Sequence, residues 1–291
     1  MNQNSTIEMN PTPVNLGKPG LKERLLQFPW WFVALILIAI ATIYAIITQQ
    51  NYSEAFNFIR IGLKITIQTT LYAFVFALFL GLITGLGRIS KNVFFRNLAT
   101  LYVEFIRGVP MLVLIFFIAL VAVPAVVGSM NSLGHWIESM GWSLLAAPFL
   151  ALENKAIDMN VRAIVALSVT YGAFLAEIFR AGIQSVSKGQ MEAARSQGMS
   201  YGQAMIYIIL PQAIRNVLPA LGNDFVAMLK DSSLVSVLAV RDITQVARLY
   251  AGRSFRYEEA YTTLAILYLS MTIVLSLVVK YIERRVRQDE R

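Results

Sequence analysis

Cysteine is absent from the 291 residues, and histidine occurs once, at His135. The first absence excludes a disulfide framework, thiolate metal sites and a cysteine nucleophile. The second leaves no material for a Ser-His-Asp triad or a histidine metal centre. Charge is scarce too: 14% of the residues are Asp, Glu, Lys or Arg, against about a quarter in soluble domains. No G-x-x-x-x-G-K-[ST] phosphate loop is present, so a nucleotide that drives this chain must be bound by another one. No catalytic residues, no metal and no cofactor are expected, and the chain does not read as an enzyme.

Apolar sequence is what the chain has in excess. Hydrophobic residues make up 57% and the mean hydropathy is +0.60, which points to lipid as the solvent. Residues 1–29 are polar and read as a cytoplasmic N-terminal tail. Residues 30–48 form an uncharged run of about one bilayer span, opened by the interfacial pair Trp30 and Trp31. Its length and the lack of a small-residue cleavage site favour a retained transmembrane helix over a signal peptide. Further helices are expected at about 61–87, 98–123, 162–183, 205–240 and 260–281. Residues 124–160, with Pro, Gly, Asn and Ser, read as a linker whose stretch 142–152 is too short to span. The expected class is an all-α, polytopic membrane helix bundle of about six spans.

The net charge of +8 is orientation signal rather than a nucleic-acid surface, because the basic residues cluster beside apolar runs. The clusters are Lys18, Lys22 and Arg24; Arg88, Lys91 and Arg96; Lys188 and Arg195; and Arg284, Arg285, Arg287 and Arg291. Placing both termini in the cytoplasm puts all of them inside. The 241–259 loop, with Arg241, Arg248, Arg253 and Arg256, is the one basic segment left outside.

The most informative stretch is Glu192-Ala193-Ala194, three residues, Gly198, nine residues, Ile208, one residue, and Leu210-Pro211. Good helix formers up to Ala194, then Gly198 to end the turn, make a short exposed helix that a partner's groove can take, and Pro211 stiffens the return to the membrane. This spacing resembles, position for position, the E-A-A-x3-G-x9-I-x-L-P signature of permease subunits of binding-protein-dependent ABC importers. "YVEFIRGVPML" from Tyr102, "AEIFRAGI" from Ala176, "ILPQAIRNVLPALGND" from Ile209 and "LKDSSLVSVL" from Leu229 are similar to the bacterial amino-acid branch, the histidine, glutamine and arginine permeases. The resemblance covers about residues 61–283 and leaves the first helix as an extra. It implies the type I ABC importer transmembrane-domain fold in a bacterial inner membrane, with 187–204 as the cytoplasmic coupling loop. Glu192, Ala193, Ala194, Gly198, Leu210 and Pro211 would then meet ATPase subunits. Other implied partners are a second permease, identical or homologous, an external amino-acid-binding protein, the amino acid and membrane lipid. A secondary transporter would need an inverted repeat, and a membrane enzyme a convergent catalytic set; neither is evident.

Polar groups inside the apolar runs are candidate transport residues. Asp224, preceded by Asn223, lies five residues after Pro219 and two after Gly222, where a Pro-Gly break would free backbone carbonyls. It either contacts a substrate ammonium or pairs with Arg215 or Lys230. Lys230 and Asp231 read as a local ion pair or as part of the path. Thr66 and Thr70 share a helix face, and with Gln68 either line the path or bond to backbone. Glu177 with Arg180, and Glu104 with Arg107, are spaced as structural ion pairs. Ala77, Gly81 and Gly85, four apart, permit close helix approach.

Overall fold

The computed structural model describes residues 30–288, with no strand among the described residues. The expected tail 1–29, with Lys18, Lys22 and Arg24, and the terminal Arg291 lie outside the described residues. The chain divides into two units after Tyr44. In the first, the apolar start of helix α1 (Trp30–Thr48) returns its Thr42 hydroxyl to the Ile38 carbonyl at 2.9 Å.

The second unit holds the helices α2 (Gln50–Arg88), α3 (Val93–Gly108), α4 (Met111–Ser139), α5 (Ser143–Leu150), α6 (Met159–Ser185), α7 (Lys188–Ser196), α8 (Tyr201–Leu238), α9 (Ile243–Ser254) and α10 (Tyr257–Gln288). Among the described residues five, α2, α4, α6, α8 and α10, are long and apolar enough to cross a membrane, and Val33–Thr48 is a shorter apolar helix.

The centre of this unit is the α2–α6 contact. Apolar side chains gain nothing by leaving lipid for one another, so membrane helices associate where small residues let backbones approach. Ala73 and Ala77 are fully buried. A Cβ on Gly81 would stand 2.7 Å from the Leu175 Cβ, and one on Gly85 would stand 2.9 Å from the Ala176 carbonyl oxygen. The Ser168 hydroxyl closes onto its own helix at Ile164, 2.6 Å. Gly182 makes the corresponding room for Val217 of α8, and Gly222 for Val279 of α10.

Three expectations are corrected. The span expected at 98–123 is broken: Val109, held extended ahead of Pro110 (φ −109°, ψ 138°), separates α3 from α4, as the pre-proline restriction requires. Residues 124–139, expected as linker, continue α4. Helix α8 runs unbroken through Pro219 and Gly222, so the expected Pro-Gly break is absent there. The irregular turns lie instead just upstream of other prolines. Wide i→i+5 turns at Ile118–Ala122 and Met205–Ile209 precede Pro124 and Pro211, and their wider register absorbs the missing proline N–H. In that register Pro124 has no N–H for the Ala119 carbonyl, and Arg162 supplies one from Nη1 at 3.1 Å.

At one end, α9 lies across the start of α2 and α10 and buries Ile59, Ile243, Tyr250 and Leu264 among them. Its free N-terminal amides are capped. The Thr66 hydroxyl accepts from Ile243 N at 3.1 Å, and Asp242 Oδ1 accepts from Gln245 N at 2.9 Å. Gly62 permits the approach, because a Cβ there would fall 2.6 Å from Ile243 N. The basic residues of this segment are partly answered by α2: Arg256 bonds Glu54 at 2.6 Å, and the Arg253 guanidinium stacks over Phe58 at 4.3 Å.

Candidate functional site

The motif loop forms the opposite end of the unit. Helix α7 ends in a Schellman turn: Met199 N donates to the Ala194 carbonyl at 3.2 Å and Gly198 N to the Arg195 carbonyl at 3.1 Å. The turn needs the left-handed backbone of Gly198, φ +84°. Ser200 then starts α8 with a capping box, reciprocated by Gln203. Ala194 is buried, and Met191 packs with Ile183, Met205 and Ile209, so one side of α7 is fixed to the ends of α6 and α8. Glu192, Ala193 and Gly198 face outward. Leu210 packs on the same cluster, and exposed Pro211 opens the regular part of α8. Lys91 approaches the Tyr201 ring, 5.7 Å from its centroid, bringing the α2–α3 turn to the same end.

Above this loop sits an ionic knot. Glu177 of α6 meets Arg88 at the end of α2, Arg180 at 2.8 Å and Arg107 of α3 at 3.4 Å. Glu104 bonds Arg88 at 3.4 Å, so Glu104 and Arg107 do not pair with each other as their spacing suggests; each reaches a different helix. Arg88 and Glu177 are only 14% and 18% exposed. Removing carboxylate and guanidinium from water together is tolerable where several partners compensate.

The proposed path residues do not converge within one chain. Thr66 is fully buried and committed to the Gly62 carbonyl and Ile243 N, and Thr70 bonds the Thr66 carbonyl at 2.8 Å. Both therefore do structural work. Gln68 is half-buried, while Asn223 and Lys230 are exposed. Asp224 is half-buried and forms no ion pair with Arg215 or Lys230 among the described residues. Asp231, seven residues on and so on the same helix face, accepts from the Tyr171 hydroxyl at 2.6 Å rather than pairing with Lys230. An apolar cavity of about 470 Å³ between α2, α8 and α10 is lined by Thr70, Phe225, Leu229 and Met271, and includes neither Asp224 nor Gln68.

The two buried charged residues among the described residues were not singled out as sites from sequence. Arg162, 6% exposed, donates to the carbonyls of Ala119, Asn154 and Ile157; a lone arginine opening an apolar run was its only signal. Asp242, fully buried, caps α9, and burial pushes its carboxyl up to about 6. An acid three residues ahead of Gln245 was the cue.

A family model described as "Binding-protein-dependent transport system inner membrane component" matches residues 77–288. The probable glutamine ABC transporter permease protein GlnM of Bacillus subtilis (strain 168) is 35% identical over 238 residues, 81% of this chain and 96% of the relative. The glutamine transport system permease protein GlnP of Escherichia coli (strain K12) is 30% identical over 226 residues, 78% and 91% of the two chains. A crystal structure of an amino acid ABC transporter with histidines superposes with a TM-score of 0.62 at 35% identity, covering 80% of this chain and 95% of that one. The MetNI methionine ABC transporter in an inward facing conformation gives 0.57 at 18% identity over 77% and 94%, a likeness of fold alone.

Proposed function

Because this chain belongs to the family of binding-protein-dependent transport system inner membrane components, we propose that it is the permease of an ATP-driven amino-acid importer. The observation that carries the proposal is the motif helix α7, fixed on one side to the ends of α6 and α8 and bare on the other. Glu192, Ala193, Ala194 and Gly198 lie in the coupling loop 187–204, and Leu210 and Pro211 complete the motif at the foot of α8. A partner ATPase subunit grips its open face, and ATP is hydrolysed on that subunit.

The loop end is cytoplasmic, which puts Arg88, Lys91, Arg96, Lys188 and Arg195 on the side that basic residues favour. Both termini then lie in the cytoplasm, residues 30–48 add a transmembrane helix ahead of the importer domain 61–283, and α9 faces outward, toward an amino-acid-binding protein. A second permease chain completes the path over α8, where Asp224 has no ion-pair partner among the described residues and Asn223 is exposed beside it. The Asp224 carboxylate suits the ammonium common to all amino acids. Gln68 and Lys230 join it only across that interface.

The test is reconstitution of the chain with its ATPase and binding protein in proteoliposomes. ATP hydrolysis must rise with an amino-acid-loaded binding protein and not with the empty vesicle system. Uptake that continues without ATP, driven by an ion gradient, would replace this reading with secondary transport.

A further inference from the structure

The second half of α4 and the whole of α5 form a helical hairpin that the transport reading leaves unused. Gly134 seats it internally, its Cα facing Phe149 and Leu150. Val126, Met130, Leu133, Trp136, Trp142 and Leu144 are exposed, Leu144 to 92%. From Ser139 to Leu152 the sequence carries no charge. This apolar face continues the one that Val113, Phe117 and Leu120 expose lower on the same helix, so the surface is continuous with the lipid-facing surface of a span. We propose that the hairpin lies in the membrane interface, with lipid as its occupant and Trp136 and Trp142 at the headgroup boundary.

The polar groups of the hairpin, apart from the buried Asn131 amide oxygen that has no hydrogen-bond partner among the described residues, support lipid over water. Lipid accepts backbone only where its N–H and C=O groups are satisfied from within. The tip meets that condition through a second Schellman turn, with Gly141 at φ +85°. Gly141 N donates to the Glu138 carbonyl at 2.9 Å, Trp142 N to the Ile137 carbonyl at 3.4 Å, and Ala146 N to the Trp142 carbonyl at 3.1 Å. The hydroxyls of Ser129, Ser132 and Ser139 all return to carbonyls of their own helix. The only ionisable pair of the hairpin, His135 and Glu138, stands 3.7 Å apart on the polar side. Helix α5, eight residues long, is far short of the ~20 residues a span needs, which suits an interfacial element. Arg162 fixes the root, holding residues 154–157 and the open Ala119 carbonyl together.

The hairpin is at the end opposite α7, so the outer leaflet is its place in the orientation proposed above; lipid contact itself does not depend on it. The test uses the assembled importer in nanodiscs of phosphatidylcholine with brominated acyl chains. Trp30→Phe and Trp31→Phe leave Trp136 and Trp142 as the only tryptophans of the four, and Trp136→Phe then isolates the tip; the ATPase and binding protein are prepared free of tryptophan. Emission is expected to be lost to chains brominated near the headgroup, less to chains brominated near the bilayer centre, and little to aqueous acrylamide. Because both leaflets are brominated, a wrong orientation leaves this result in place. Quenching by acrylamide with none by brominated lipid would overturn the proposal in favour of a hairpin standing in water. Acrylamide quenching relieved only when binding protein is added would overturn it in favour of a protein-docking surface.

Discussion

Substitution of Gly198 separates a backbone requirement from a contact requirement in the proposed coupling loop. A Cβ at this position meets no atom within 4 Å in the chain itself, yet φ is +84°. The intrinsic cost of a side chain is therefore conformational, about 1–2 kcal/mol for an ordinary L-residue held in the left-handed region. That is a factor of roughly 5–30 in the population of a two-state segment. The Schellman bonds to Ala194 and Arg195 are what the altered population would lose, and with them the angle between α7 and the start of α8. Asn tolerates this conformation, Ala does so poorly, and β-branched Val least of all. Binding-protein-stimulated ATP hydrolysis in proteoliposomes should thus fall in the order glycine, Asn, Ala, Val, with assembly checked by gel filtration. Gly198→Asp, compared with Gly198→Asn, adds the effect of a charge at the proposed docking surface. Val coupling as well as glycine would refute the backbone argument. Equal loss in Asn, Ala and Val would refute it as well, since only a close partner contact treats all three alike.

Asp242→Asn keeps an oxygen for the α9 cap and removes a carboxyl whose value burial raises from 3.8 to about 6. The folded state binds this proton more tightly than the unfolded one, so the contribution is full below pH 3.8 and is lost as pH rises through 6. The roughly two-unit shift is worth ~3 kcal/mol as an order of magnitude. Thermal stability of the variant should exceed wild type at about pH 7–8 and converge with it near pH 4; parallel curves would remove Asp242 as the cause. Asp224→Asn should reduce uptake with little loss of stability, since no partner charge among the described residues is abandoned; a deficit accounted for by a lower melting temperature would make the residue structural. Gly81→Leu should cost about 1–3 kcal/mol or prevent insertion of a stable bundle, because even a Cβ lies 2.7 Å from the Leu175 Cβ; wild-type stability would contradict the α2–α6 packing. Cysteines at His135, on the polar side of the hairpin, and at Ser196 should react with impermeant reagents from opposite sides of the membrane; labelling of both from outside would overturn the topology, and exchanged sides would reverse the orientation.

Periodic and compositional signals in the sequence reached those parts of the fold that depend on local chemistry. Uncharged runs marked where spans lie, and the four-residue spacing of Ala77, Gly81 and Gly85 marked the face of α2 that meets α6. Partners contributed by distant segments were not legible. Glu104 and Arg107 are three apart, yet Arg88 arrives from α2 and Glu177 from α6 to take them separately. Composition also misled at 124–160. Glycine and serine suggest linkers in water, but in a membrane helix serine can bond its own preceding carbonyl, as Ser129 and Ser132 do. Pro124 did not end the helix, because the wide turn before it and Arg162 together satisfy the open carbonyl. Val109-Pro110 has no wide turn ahead of it, and there the chain leaves the helix.

The two prolines preceded by wide turns bear on how motion at the loop can reach the membrane. In the proposed coupling role, a push on α7 would pass through Met191 to Met205 and Ile209, which belong to the wide turn at the foot of α8. Beyond it Leu210–Asp231 is one regular helix, carrying Asp224 and Asp231 as a unit. At its far end the chain passes through the tight turns Ser232–Leu238 to α9, whose Ile243 amide is held by Thr66 of α2. Helix α8 is thus gripped at both ends, with irregular hydrogen bonding at each, wide turns at the foot and tight turns at the far end. Contiguity alone does not demonstrate coupling; that requires an element with two states that both sites bias. The wide turn at Met205–Ile209 is where such an element would sit, since recovering i→i+4 bonding there would rotate the whole of α8, and Pro211 offers a donor to neither register.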